Sequence, residues 1–499
     1  MEKELLNKVK LMKKLLEKVF YHEEWITETI LAAFVSRSHI LLLGERGSGK
    51  THVAECILNM IDQNITATVQ GYLGAEIEDI FARPDIPQLL NGKEVVLWKS
   101  PTKAIVKFFD EIQRLGVGAL SALFRLLTKG TVLYLDQELG EKTFWVIATA
   151  NPQERSNDQL NVSLPEPLID RFDVVLQVPN TKLKYQLLID DRIELMKEQL
   201  PKIWDRETLL QLWKTVENIK IPIDVKRTMV LMNRIMQFCI HCENHDSSTI
   251  DAEKKRELCS KCNQSYLCSL IARSPSVRPL LSLQKLAKGF AFLDGRDTVN
   301  IDDLRKAFPF VYFHRIELMN EAEIVNKREE LQKLFEKLLQ EINEVKEVFN
   351  LLDQLKIKYN EDDYNKLEEY CKSKIWMQEI KEIIDDYYNE VYQKLLDRFN
   401  KTTDITEKAK IYYIARKKLP ENLANALKFD VKIKAKINAK VLNTFRKEFP
   451  EIYEMLKNNS SIYGMELELD GEVALLFIAL CPNNYEIISP ISSNSQKNE

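Results

Sequence analysis

Apolar positions recur at helical spacing from the start of the chain. Leu5, Val9, Met12, Leu16 and Val19 fall on one face of a helix predicted over 4–20, and a second is predicted over 23–35. The pattern then changes. Residues 39–43 form an apolar run that leads into a glycine-rich loop, and further short runs follow at 65–70, 105–109, 144–148 and 174–178. Apolar runs separated by helical patterns predict a parallel sheet covered by helices. Residues 183–316 read as mostly helical, interrupted by a polar, cysteine-bearing stretch at 239–268. Beyond Arg315, the positions Leu331, Phe335, Leu338, Ile342, Val345, Phe349 and Leu352 make a heptad seam. Met377, Ile380, Ile384, Tyr387, Val391 and Leu395 make another. The polar break at 360–363 lets the two seams close as an antiparallel hairpin; a coiled coil between subunits fits equally. Residues 465–469, Asp470-Gly471 and 472–480 read as a β-hairpin.

This organisation gives five segments. They are an α/β core with an N-terminal helix (1–182), a helical region with an insertion at 239–268 (183–316), an acidic helical hairpin or coiled coil (317–400), a basic helical segment (401–460), and a β-hairpin with a polar tail (461–499). Composition adds little against this. The net charge of −4 gives no case for polyanion binding by the whole chain. Charge does divide the C-terminal half: 21 acidic and 13 basic residues over 317–400, then 13 basic and 4 acidic over 401–447. The second stretch, with Lys432, Lys434, Lys436 and Lys440, is where a nucleic-acid contact would lie. No run approaches the roughly 18 apolar residues of a membrane span. The N-terminus alternates charged and apolar residues, unlike a signal peptide, so the expected setting is cytoplasmic.

The chemistry begins at Gly44-Glu45-Arg46-Gly47-Ser48-Gly49-Lys50-Thr51. Glycines at this spacing let backbone N–H groups approach phosphate oxygens. Lys50 then neutralises the β and γ phosphates of ATP, and the Thr51 hydroxyl ligates Mg²⁺. About 60 residues on, the strand at 105–109 ends in Asp110-Glu111. Asp110 is placed to hold the metal and Glu111 to polarise water. The strand at 144–148 ends in Thr149-Ala150-Asn151-Pro152, where Asn151 reaches toward the γ-phosphate.

Together with Asp110-Glu111-Ile112 and Arg114, the run 164–172, Ser276-Val277-Arg278 and the run 295–304, these motifs make the chain resemble AAA+ ATPases, and among them the MoxR group, over about residues 20–310. The resemblance implies an α/β AAA+ P-loop core with a parallel sheet and an α-helical lid. It makes Asn151 sensor 1 and Arg278 sensor 2. Arg171 in Asp170-Arg171-Phe172 becomes the candidate arginine finger, with Arg155 and Arg114 as rivals. It also implies projecting inserts at about 71–99 and 132–142, and a homo-hexameric ring that remodels or assembles a partner protein. That partner is commonly a separate von Willebrand factor A domain chain. A nucleic-acid-stimulated, helicase-like motor is the alternative. Arg46 stands where the family has proline, and Ser100-Pro101 where Gly-Pro is usual; neither removes a catalytic group.

The lid departs further. Cys239-x₂-Cys242 and Cys259-x₂-Cys262 are spaced for tetrahedral thiolate ligation of a structural Zn²⁺. Cys268, His241 and His245 lie close enough to supply a ligand instead. The fold expected for the whole chain is thus the α/β core, a helical lid carrying a zinc knuckle, and a mainly helical C-terminal region ending in a β-hairpin.

Overall fold

The computed structural model describes residues 2–151, 164–182, 200–242, 245–262, 267–321, 324–373, 377–459 and 466–490. The chain divides into two compact units, Met1–Ile342 and Asn343–Glu499.

In the first unit the strands are, in chain order, β1 (Ile40–Leu43), β2 (Thr66–Gln70), β3 (Ala82–Pro84), β4 (Val96–Trp98), β5 (Val106–Asp110), β6 (Thr131–Tyr134), β7 (Gln137–Gly140), β8 (Trp145–Ala150), β9 (Val174–Gln177), β10 (Ile271–Arg273) and β11 (Glu317–Leu318). Five of them make a parallel sheet ordered β2-β5-β8-β1-β9. Every residue of β5 and β8 is buried. A strand covered on both faces has no polar side to alternate with, which is why these segments read as mainly apolar runs, interrupted in β5 by the buried Lys107. β1 lies between β8 and β9, so the loop leaving β1 is flanked by the ends of its neighbours.

Two antiparallel hairpins stand apart from the sheet: β3–β4 within the segment 71–99, and β6–β7, which starts one residue ahead of the segment 132–142. Leu135 and Asp136 both take positive φ (46° and 56°) at the tip of the second, as a tight two-residue turn of right-twisted strands requires. Leu73, Ile86 and Leu90 are exposed on the first segment, Leu90 to 83%.

The helices Arg206–Glu217, Ile223–Gln237, Arg278–Leu293 and Ile301–Tyr312 follow the sheet. Asn300 and Asp303 cap the last of these reciprocally, each side chain accepting from the other's backbone N–H. Helix Arg278–Leu293 packs on helix Glu24–Val35. At Gly289 a Cβ would lie 2.3 Å from the Ala32 carbonyl oxygen, so only glycine allows that approach.

From Lys327 onward the chain differs from its sequence reading in three places. The first heptad pattern is not one helix: it breaks at Val345 into Lys327–Glu344 and Lys346–Ile357. Helices Glu361–Ser373, Gln378–Lys401 and Ile405–Lys418 follow. The basic segment contains a strand, β12 (Val431–Lys436), which sits between β13 (Glu466–Asp470) and β14 (Tyr485–Pro490) in an antiparallel sheet. The expected C-terminal β-hairpin is overturned. Gly471–Leu480 is a helix, buried at Ala474 to Ile478, that packs under the inward-facing Val431, Ile433 and Ala435 of β12. A short apolar run without period-two alternation fits a buried helix as well as a strand, and here the helix wins. The Asp-Gly pair does turn the chain, with Gly471 at φ +54°, but into that helix.

Candidate functional site

The loop after β1 places Gly47 and Gly49 at positive φ (79° and 86°), a backbone region that side chains disfavour. Gly44 is fixed by space, since a Cβ there would come within 2.6 Å of the Val178 carbonyl. Gly49 opens helix Lys50–Asn59. The Lys50 ammonium lies inside the loop, donating to the carbonyls of Gly44 (2.7 Å) and Glu45 (2.8 Å). Burial pushes its pKa down, opposed by the charges of Asp110 and Glu111.

The register of the sheet brings the remaining groups to this loop. β8 pairs with β5 through Phe109 and Ala148, and with β1 through Leu43 and Ala150. Asp110 and Glu111 therefore leave β5 beside the phosphate loop, and Asn151 leaves β8 one residue past the last pair. Thr51 Oγ1 donates to Asp110 Oδ1 at 3.0 Å. The Thr149 hydroxyl donates to the same carboxylate oxygen and accepts the Glu111 N–H at 2.9 Å. Sequence reasoning missed Thr149, which ties the acidic pair to the neighbouring strand. Glu111 takes φ +50°, a strained conformation for a residue with a side chain. Its carboxylate is ion-paired with Arg114 of the same chain at 2.9 Å, which commits that rival finger to its own site.

A second omission lies on the other side of the loop. His22 Nε2 donates to the Ser48 carbonyl at 3.0 Å, and the Phe20 ring would lie 3.1 Å from a Cβ on Gly49. The link between the first two helices thus backs the phosphate loop, a contact that nothing in the local sequence announces.

Arg171 and Arg278 are brought together, but not here. Val174 pairs with Ile40 at the N-terminal end of β9, while Gln177 pairs with Leu43 at the phosphate-loop end. The backbone N–H of His39 donates to Asp173 Oδ2 at 3.0 Å. The Asp170–Asp173 segment therefore sits at the opposite end of the sheet, roughly 16 Å of strand from Gly44. There Arg278 pairs with Asp170. Arg171 lies over the Phe124 ring at 4.8 Å, and its buried Nε has no hydrogen-bond partner among the described residues. Arg37, Arg171, Arg278, Lys285 and Lys288 line a cavity of about 480 Å³ there, against Asp173 and Glu217. The remaining rival finger, Arg155, lies outside the described residues.

Arg315, also missed in the sequence, fixes this end. Its guanidinium bonds Asp170 Oδ1 (3.1 Å) and the carbonyls of Asp170, Phe172, Asp173 and Val311. Burial pushes its pKa down to about 10, so it remains a cation at neutral pH. Removing this buried guanidinium leaves the carbonyls of Asp170, Phe172, Asp173 and Val311 without their donor, while the Asp170 carboxylate keeps Arg278. Arg315→Met is therefore expected to cost about 3 kcal/mol of stability, read as a lower urea midpoint at unchanged slope.

The lid's cysteines form no disulfide. Both CxxC segments turn through the same backbone bond, Cys242 N–H to Cys239 O (3.2 Å) and Cys262 N–H to Cys259 O (3.1 Å). Burial pushes the Cys242 and Cys268 thiols up to about 11. Among the described residues no three Cys, His, Asp or Glu side chains stand at separations that would hold a metal ion. His245 packs against Phe238 with the rings tilted by 40°, and takes φ +53°.

Comparison with known proteins agrees with the sheet, the loop and the lid. Residues 39–172 match the family model of the AAA domain, dynein-related subfamily, and residues 271–334 match that of an AAA lid domain. Over these two spans the chain is similar to an AAA domain and its lid. The chain is 25% identical over 307 residues to the uncharacterized protein YeaC of Bacillus subtilis, covering 58% of this chain and 81% of that protein. A crystal structure of a "putative ATPase" from Cytophaga hutchinsonii superposes with a TM-score of 0.54 at 21% identity, over 67% of this chain and 96% of the other. That likeness concerns the fold. The cysteine insertion falls between the two matched domains. Among the described residues no helix is long and apolar enough to cross a membrane.

Proposed function

We propose that the chain is a MoxR-like AAA+ ATPase that hydrolyses ATP with Mg²⁺ in a homo-hexameric cytoplasmic ring and uses the cycle to remodel or assemble a partner protein. A separate chain with a von Willebrand factor A domain is one candidate partner. The observation that carries this reading is the division of the site. The phosphate loop, Asp110, Glu111 and Asn151 gather at one end of the sheet, and the uncommitted cation Arg171 stands at the other. A cation so placed can serve a neighbour's nucleotide in a head-to-tail assembly, which a closed ring supplies at every interface.

Within the site, Gly44 to Thr51 cradle the phosphates and Lys50 exchanges its loop carbonyls for phosphate oxygens. Thr51 and Asp110 present a hydroxyl and a carboxylate 3.0 Å apart, hard oxygen donors suited to Mg²⁺. The ion would neutralise phosphate charge. Glu111, released from Arg114, orients and deprotonates the attacking water. Asn151 holds that water near the γ-phosphate. From the next subunit, Arg171, supported by Arg278 and Arg315, stabilises the charge that develops there. The lid's thiols belong to this reading as a structural zinc knuckle. The exposed apolar residues of the β3–β4 segment are the parts offered to a client.

The helicase-like alternative loses its best surface. Lys432, Lys434 and Lys436 do share the exposed face of β12, but they lie opposite Asp470, Glu468 and Glu466 of β13. Lys434 pairs with Glu466 at 3.0 Å. A face of alternating charge does not release counterions as a basic groove does. ATPase rate measured alone, with single-stranded or duplex DNA, and with candidate partner proteins separates the two readings. Stimulation by a protein and indifference to DNA are expected. Strong stimulation by DNA that falls steeply with salt would overturn protein remodelling.

A further inference from the structure

Helix Arg278–Leu293 turns Arg278, Ser282, Lys285 and Lys288 onto one face, since residues three and four apart lie above one another. That face lines the cavity of about 480 Å³ at the far end of the sheet, together with Arg37 and His39. Six cations line it (Arg37, Arg171, Arg278, Lys285, Lys288 and Arg315) against two carboxylates, Asp173 and Glu217. Asp170, which pairs with Arg278 and Arg315 from outside the lining, offsets one more, so three positive charges stand in excess. Lys285 uses one proton on Asp173 (3.2 Å) and Lys288 one on the Glu217 carbonyl (2.6 Å), so each ammonium keeps donors to spare.

His39 gives the cavity a further donor. Its side chain is only 9% exposed and stacks on Phe144. Nδ1 accepts the backbone N–H of Val146 at 3.2 Å, which leaves the ring proton on Nε2. Burial pushes the pKa down to about 3, so the ring stays neutral and keeps that tautomer. Among the described residues His39 forms hydrogen bonds through its backbone N–H and Nδ1 alone, and Nε2 has no partner. A polar group so enclosed is ordinarily satisfied. The charges that act on the ring are those of Asp173, Lys285, Arg37 and Lys107, which brings both cavity cations within range of it.

Arg37 occupies a position that favours glycine. It follows helix Glu24–Val35 at φ +56°, where the Ser38 N–H closes on the Ala33 carbonyl at 2.8 Å. This is the left-handed residue of a helix-ending turn, usually glycine because a Cβ is strained there. A charged side chain kept at such a position points to use of the charge.

We propose that this cavity binds a small phosphorylated molecule through a diphosphate group, held by Arg37, Lys285, Lys288 and the Nε2–H of His39. A diphosphate answers the excess of positive charge, and its oxygens accept the hydrogen bonds that an arginine, two lysines and a neutral imidazole N–H offer. The volume falls within the roughly 300–1,000 Å³ of small-ligand sites. The site is separate from the phosphate loop, which lies at the other end of the sheet, and it leaves Arg171 to the role proposed above.

Calorimetric titration of the full chain with inorganic pyrophosphate tests this, in a Lys50→Ala background that disables the phosphate loop. One pyrophosphate per chain is expected, held less tightly as salt rises. Arg37→Gly is the most telling variant, because glycine suits the backbone there. It is expected to melt no lower than its parent while pyrophosphate affinity falls about tenfold. Lys285→Gln can keep the bond to Asp173 without the charge, and a similar loss is expected. No binding in the Lys50→Ala chain would overturn the site, as would unchanged affinity in either variant. Weaker binding that comes only with a lower melting temperature in both would mark a structural role and overturn it too. Binding alone is read, so the outcome does not depend on whether Arg171 serves a neighbour.

Discussion

Arg171→Ala is expected to lower ATP turnover by roughly 10³-fold or more while leaving nucleotide affinity close to unchanged. The reason is geometric. Arg171 lies at the N-terminal end of β9, beyond reach of the phosphate loop in its own chain, so it contributes nothing to ground-state binding there. Among Arg171, Arg278 and Arg315 at this end, it is the one with a nitrogen unpartnered among the described residues. Arg278 is held by Asp170, and Arg315 is buried in backbone carbonyls, whereas the Nε of Arg171 has no partner among the described residues. Steady-state phosphate release, with binding of a fluorescent ATP analogue on the same preparation, reads the two effects separately. An unchanged rate would remove Arg171 from the catalytic machinery and return Arg155 to consideration.

Glu111→Gln gives the second large effect, a loss of roughly 10²–10³ in turnover, as expected when a general base is replaced by an amide of the same shape. ATP still binds, because Lys50, Thr51 and Asp110 are untouched, so the variant accumulates in its ATP-bound form. Two outcomes would count against the assignment. Turnover preserved in the glutamine variant is one; loss of ATP binding together with turnover, marking a collapsed site, is the other. The strained φ of Glu111 and its bond to Thr149 make the second a real check.

What the sequence revealed and what it hid divide along one physical line. The phosphate loop was legible because its requirements are local: positive φ at Gly47 and Gly49, a strand before and a helix after. Asp110, Glu111 and Asn151 were legible because each ends a strand whose apolar run marks it. Thr149, Phe20, His22 and Arg315 were not, because their roles depend on register and on packing between segments far apart in sequence. Arg278 shows the limit most plainly. Its motif was read, but only the order of strands reveals that it stands with Arg171 at the far end of the sheet. The helix Gly471–Leu480 was misread for a related reason, since an apolar run of that length is decided by what covers it. The helix break at Val345 has no proline or glycine to announce it.

The central claim is that one ATP is hydrolysed by two chains, and mixing two inactive variants tests it directly. Arg171→Ala supplies a complete phosphate loop and base but no finger; Glu111→Gln supplies the finger but no base. In a random equal mixture, about a quarter of interfaces pair an intact base with an intact neighbouring arginine. The account predicts that the mixture recovers a substantial fraction of wild-type ATPase activity where each variant alone has almost none. Activity of the mixture no greater than the mean of the two separate variants, in rings shown to exchange subunits, would contradict it.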